Sequence, residues 1–175
     1  VQMNSVAAIN GAGLVTAASV DLNAATGIGN STALELAAAT ISADTTTGTI
    51  DIDNALGTAV AVTSLTTGTG VVGDTGNIVF DQSGGGEVTF TTVTTSTASV
   101  TEGQGDVTLT NAGGNLIVGT LGVVTAGGVG DIVYTTTTAT TSGGITLTGT
   151  TNAVADEVQM NSVAAINGAG LVTAA

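Results

Sequence analysis

The chain has 175 residues and carries 13 Asp and Glu but no Lys, Arg or His, for a formal charge of −13. It also lacks Pro, Cys and Trp. With no cation to neutralise phosphates, nucleic-acid binding is not expected. The charge repels anionic membrane surfaces, and disulfides and thiolate metal sites have no residues to form them.

The first 18 residues, VQMNSVAAINGAGLVTAA (Val1–Ala18), return unchanged as Val158–Ala175, 157 residues later. Identity over that length divides the sequence into one full repeat, 1–157, and the start of the next, 158–175. Fixed-period self-similarity marks quasi-one-dimensional architectures. The expected object is a tandem array that continues beyond both ends of this sequence. All the carboxylates lie within 1–157, so copies cannot pair charge with one another and neutralisation falls to cations from solution.

Along the chain a short pattern, apolar–x–apolar followed by Asn, Asp or Thr, recurs. It reads V-Q-M-N at Val1, V-D-L-N at Val20, I-D-I-D at Ile50, I-V-F-D at Ile78 and V-T-F-T at Val88. It continues as V-T-L-T at Val107, I-V-Y-T at Ile132, I-T-L-T at Ile145 and V-Q-M-N at Val158. Weaker members are L-E-L at Leu34, V-A-V-T at Val60 and L-I-V at Leu116. Period-2 alternation predicts short strands with Val20, Leu22, Ile50, Ile52, Ile78 and Phe80 inward and Asp21, Asp51 and Asp53 outward. Thr32–Ala43 is the one stretch with helical spacing; its β-branched residues and its place in the series predict a strand.

Glycine or Asn brackets these strands, as in G-T-I-D, Q-G-D-V and G-G-I-T. Glycine supplies the positive φ of sharp corners. The absence of Pro suits strands paired on both edges. Hairpin dipeptides are scarce, with Asn10-Gly11 and its copy Asn167-Gly168 the main case, which disfavours an antiparallel meander. The expected fold is therefore all-β, a parallel β-helix (β-solenoid) with coils of about 20–25 residues and roughly seven coils per repeat. At about 4.8 Å between strands, one repeat advances roughly 35 Å. Free ends of such a stack expose unpaired strands, so an excised repeat is expected to polymerise or aggregate.

Mean hydropathy is +0.53, yet no run approaches the ~18 apolar residues of a membrane helix. Phe80, Phe90 and Tyr134 are too few for the aromatic girdles of a membrane barrel. No basic leader is visible, so any signal or anchoring segment is expected outside this sequence. The richness in Val, Ile and Thr is strand chemistry, unlike the polar composition of disorder.

The block VDLNAATGIGNSTALELAAATISADTTTGTIDIDNALG (Val20–Gly57) resembles repeats of the filamentous-haemagglutinin-like giant bacterial surface proteins and related β-strand-repeat adhesins. GDVTLTNAGGNLIVGTL (Gly105–Leu121) and GGITLTGT (Gly143–Thr150) do so too. The resemblance implies a right-handed parallel β-helix, secreted and held at or beyond the outer membrane, serving adhesion, biofilm or sheath formation. The lack of Lys and Arg and the perfect identity of the overlap set this chain apart from those repeats. They favour a structural filament over a receptor-reading adhesin.

No His, Cys or Lys is available as base or nucleophile. Enzymatic chemistry would fall to paired carboxylates, Asp51 with Asp53 or Asp156 with Glu157, and a solvated strand face explains both pairs better. No catalytic residue, resident metal or cofactor is expected. Were calcium to bind, its candidate ligands are Asp51, Asp53 and Asp131; Gly127–Tyr134 partly matches a calcium-binding nonapeptide, with the Asp one residue early. Cations bridging acidic fibres side by side are the more general expectation. Thr89–Ser99 and Tyr134–Thr141 are Thr-rich enough to raise an ice-binding face, which requires T-x-T at constant coil spacing. Ser83–Gly86 lacks the Lys of a phosphate loop and reads as a turn.

The functional expectation is a building block of an extracellular or cell-surface filament (sheath, matrix or biofilm scaffold). Its partner is itself, end to end and side by side through cations, with no nucleic acid and no membrane insertion. The alternative is the shaft of a secreted adhesin whose ligand site lies elsewhere.

Overall fold

A computed structural model of the chain describes residues 1–68, 76–96, 100–137 and 143–175. Short alternating segments rich in β-branched residues become strands in chain order. These are β1 (Gln2–Ser5), β2 (Val15–Ala24), β3 (Leu34–Thr45), β4 (Ile50–Asn54) and β5 (Val60–Thr66). They continue with β6 (Ile78–Gln82), β7 (Val88–Thr94), β8 (Val107–Asn111), β9 (Leu116–Ala126) and β10 (Ile132–Thr136). The last are β11 (Ile145–Leu147), β12 (Thr150–Ala153), β13 (Val158–Asn161), β14 (Ile166–Asn167) and β15 (Leu171–Thr173). Among the described residues there is no helix, and hence none long and apolar enough to cross a membrane.

The strands form one sheet, and every pairing among them is parallel. Parallel neighbours need a crossover between them, and here the crossover is the rest of a coil. The registers define three columns, so the sheet winds in a solenoid-like path. The first face stacks Ile9, Ile28, Ile50, Ile78, Val107, Ile132 and Val158. Its members are 19 to 29 residues apart, a spread that includes the coil length of about 20–25 residues expected from sequence and exceeds it in some of the later coils. The second face stacks Val20, Ile41, Val62, Phe90, Val118 and Leu147. The third stacks Met3, Leu22, Ala43, Leu65, Val93, Val124, Thr151 and Val172.

Each coil buries its inward residues against the coils above and below, which is how a narrow stack obtains a continuous core. Val20, Leu22, Ile50, Ile52, Ile78 and Phe80 are all fully buried, as alternation predicts. Asp21, Asp51 and Asp53 lie half-buried on the opposite side of their strands. The stretch with helical spacing forms β3, a strand of 12 residues that turns the corner from the first face to the third. Register shifts between Ile41 and Ser42 and between Phe90 and Thr92 bend the chain from second face to third, as bulges do.

The three aromatic residues are fully buried in the core. Phe80 and Phe90 meet edge to face, with ring centroids 5.4 Å apart and planes at 89°, a geometry favoured by the ring quadrupole. Buried Tyr134 shares a 2.8 Å hydrogen bond with Thr151 across the core.

Corners close tightly at glycine. A Cβ on Gly130 would strike the carbonyl of Gly105 in the preceding coil, and one on Gly76 that of Gly48. These contacts are between backbones, which cannot yield as a side-chain tip can. The bracketing glycines seen in the sequence thus serve close coil-to-coil approach as well as positive φ.

Candidate functional site

Three side-chain ladders run along the stack. The first lies inside, at the last inward position of the first-face strands. Asn54, Gln82 and Asn111 stack in register there and are fully buried. A buried amide needs partners, and the coil supplies them. The Asn54 side chain accepts from the Ala38 N–H at 2.9 Å and donates to the Ala38 carbonyl at 3.1 Å. It also donates to Gln82 Oε1 at 2.8 Å. Gln82 donates to the Leu56 carbonyl at 2.6 Å, and Asn111 to the carbonyls of Gly86 and Asn115. The amides thus carry hydrogen bonding round a corner where the β ladder stops.

The second ladder precedes the first-face strands. The backbone N–H of Asn77 donates to Thr49 Oγ1, and that of Asp106 to Asn77 Oδ1. Asp131 N–H donates to Asp106 Oδ1, and Glu157 N–H to Asp131 Oδ1, both at 3.1 Å. Each coil's side chain therefore caps the backbone of the next. A third set closes the third face, where the hydroxyls of Thr45, Thr67 and Thr95 donate to the carbonyls of Gly48, Gly76 and Gly105.

Two separate groups of acidic residues gather on the stack. Asp51 and Asp53 alternate on the outer side of β4, and Asp53 sits in register with Asp81 of β6. Ser83 Oγ donates to Asp53 Oδ1 at 2.6 Å, whereas buried Asp81 Oδ1 has no hydrogen-bond partner among the described residues. Burial, and after it the charge of Asp53, pushes the Asp51 and Asp81 carboxyls above the ordinary 3.8. The other group gathers Glu102, Asp131 and Asp156, each offering an oxygen within 4.8 Å of the others. Burial raises the Asp131 carboxyl, the Glu157 N–H opposes that, and Asp156, Asp106 and Glu157 raise it further. Fully exposed Glu102 is raised chiefly by the charge of Asp156.

Of the three calcium candidates, Asp131 therefore lies in a carboxylate cluster, while Asp51 and Asp53 lie on another strand and do not reach it. The chemistry of the cluster, three hard oxygen donors at bridging distance, suits a cation such as calcium. Glu102 and Asp156 were not legible as its members, because they sit in different corners without a shared spacing. The Gly127–Tyr134 segment makes a turn, with Gly130 N–H donating to the Gly127 carbonyl at 3.2 Å. Ser83–Gly86 is likewise a turn between β6 and β7.

The Thr-rich runs extend into 97–99 and 138–141, which lie outside the described residues. Thr94 of the first run stands in register with Thr66 and Thr125 of the neighbouring coils, but Thr92 is opposite Val123. The result here is a single file, and the described residues show no paired T-x-T file of the kind an ice-binding face requires. Two concavities lie at the ends of the stack, one beside Asn4, Asn23 and Asp44 and the other beside Met160, Ile166 and Val172. The Asp51–Asp53 pair lies in neither.

The carboxylate ladders give a direct pH expectation. Asp51 and Asp81 have folded-state pKa values above the unfolded value near 3.8, so their ionised forms disfavour the fold. Lowering the pH through the raised values towards 3.8 should therefore stabilise the chain, and raising the pH should remove that gain. Thermal melts followed by circular dichroism should show a higher Tm near pH ~4 than near pH ~7. A Tm that is flat or falls on acidification would contradict this.

No protein-family model matches the chain, and neither a curated protein nor a solved structure does.

Proposed function

We propose that the chain is the building block of an extracellular structural filament, a right-handed parallel β-helix continued by tandem copies of the 157-residue repeat. Its mechanism is mechanical. Backbone ladders run along the fibre axis, apolar columns fill it, and the carboxylates keep its surface hydrated and mutually repelling. The observation that carries the reading is that a parallel stack open at both ends bears the same 18-residue segment at each end. An open edge is a template for further strands, and the repeat supplies its own continuation.

The resemblance to haemagglutinin-like surface proteins supports placement at or outside the cell surface. The absence of Lys and Arg, which leaves no cleavage site for trypsin-like proteases, suits that setting. Side-by-side contact would run through cations bridging acidic faces, and the Glu102–Asp131–Asp156 cluster is the best-placed group for it.

Gold-labelled antibodies against the chain, applied to intact cells that produce it, test the reading. Label along fibres or a sheath outside the cell is the expected result. Label seen only after permeabilisation would overturn it.

A further inference from the structure

The two copies of the shared segment are each paired on one side only, and on opposite sides. In the first copy, Met3 pairs with Leu22, Ile9 with Ile28 and Val15 with Leu36, all later in the chain. In the second copy the same residues pair with earlier ones: Met160 with Tyr134, Ile166 with Ile145 and Val172 with Thr151. The glycines repeat the contrast. Gly11 and Gly13 have open space where a Cβ would project, whereas their counterparts Gly168 and Gly170 press on the Leu147 and Gly149 carbonyls of the preceding coil.

The copies also occupy different columns. Met3 belongs to the third face and Met160 to the first, above Tyr134, Leu109 and Phe80. Ile9 belongs to the first face and Ile166 to the second, in the column of Ile145 and Leu116. Val15 lies in the column of Leu36 and Asn54 at the end of the first face, and Val172 on the third. Every one of these positions has moved onward round the axis, Met and Ile by one face each and Val from the end of the first face to the third.

Resting on the filament reading above, we propose that the two half-paired copies are the two sides of one junction, and that successive repeats are joined out of phase by one face. The junction coil would hold Met160 between Tyr134 below and Leu22 of the next repeat above. It would hold Ile166 between Ile145 and the next repeat's Ile28. Residues 19–38 of the next copy are thus the cover for the open end, where Ile166 is 50% and Leu171 64% exposed. From Met3 the third-face column climbs six coils to Thr151 before the chain reaches Met160 one face on. The repeat therefore spans about six and one-third coils, a rise of roughly 30 Å at one strand spacing per coil. The columns permute at each junction, and three repeats restore a given face. The Asp51–Asp53–Asp81 file would then appear on each side of the fibre in turn, which spreads the repulsion between copies.

Cryo-electron microscopy of the full tandem-repeat protein, at a resolution that traces side chains, tests this. The expected map is a continuous solenoid with Met160 between Tyr134 and the next repeat's Leu22, and with the columns shifted by one face per repeat. A continuous solenoid with a whole number of coils per repeat, with Met160 on the same face in every copy, overturns the phase shift and leaves the filament reading standing. Separate globular beads overturn both.

Discussion

Phe80→Ala should lower the unfolding free energy by about 3–5 kcal/mol, the range for truncating a fully buried Phe. The ring has no exposed surface and meets Phe90 edge to face at 5.4 Å. Its column neighbours, Ile52 and Leu109, belong to the coils on either side. They are held by their own backbone ladders, so the cavity cannot collapse cheaply. Urea denaturation of the variant beside the parent chain reads the effect directly. A loss below about 1 kcal/mol would mean that the coils do not pack round this ring as described.

The second large effect is polar. Asn54→Ala removes the side chain that serves both backbone groups of Ala38 and the amide of Gln82. No neighbouring strand replaces those bonds at the corner, and water does not reach a fully buried position. Leaving buried donors and acceptors unpaired costs about 1–3 kcal/mol each, so a loss of roughly 2–4 kcal/mol is expected. Hydrogen exchange distinguishes this from a general loosening. The Ala38 amide should lose protection, while amides in β10 and β12, several coils away, should keep it. An Ala38 amide as protected as before would show that the amide ladder does not carry the corner.

These two residues also show what the sequence displays and what it hides. Phe80 stands in an alternating run, I-V-F-D, and alternation alone places it inside. The first-face strands and most second-face strands carry that pattern, and so the all-β, all-parallel winding was legible. The third face was legible only at its start, where V-Q-M-N and V-D-L-N carry Met3 and Leu22. Its later inward residues include Ala43, Leu65 and Thr151, set among Ser, Thr, Asp and Asn, and such segments resemble turns. Asn54, Gln82 and Asn111 were hidden for a related reason. A polar residue at the inward position ending a strand reads as the start of a loop, and only the buried partners across the corner explain it. The Glu102–Asp131–Asp156 cluster depends on which corners stack, which no local spacing encodes. Coil number is of the same kind. Roughly seven coils per repeat follow from average spacing, whereas the pairing registers give about six and one-third between the two copies of one segment.

The physical picture ties stability to length. Each added coil buries its inward residues against its neighbour and satisfies one more backbone ladder, so a longer array is more stable than a short one. If the chain forms the proposed filament, its charge would oppose close association of neighbouring fibres, and the repulsion would weaken with salt, because surface charge is screened within about 8 Å at physiological ionic strength. In the proposed filament, such a surface would keep single fibres apart and let divalent cations draw them together.

The most direct measurement of the central claim is X-ray diffraction from aligned fibres of the repeat protein. Parallel strands stacked along the axis predict a strong reflection near ~4.8 Å on the meridian, parallel to the fibre. A ~4.8 Å reflection on the equator, or none above the diffuse background, would contradict a solenoid whose coils climb along the fibre.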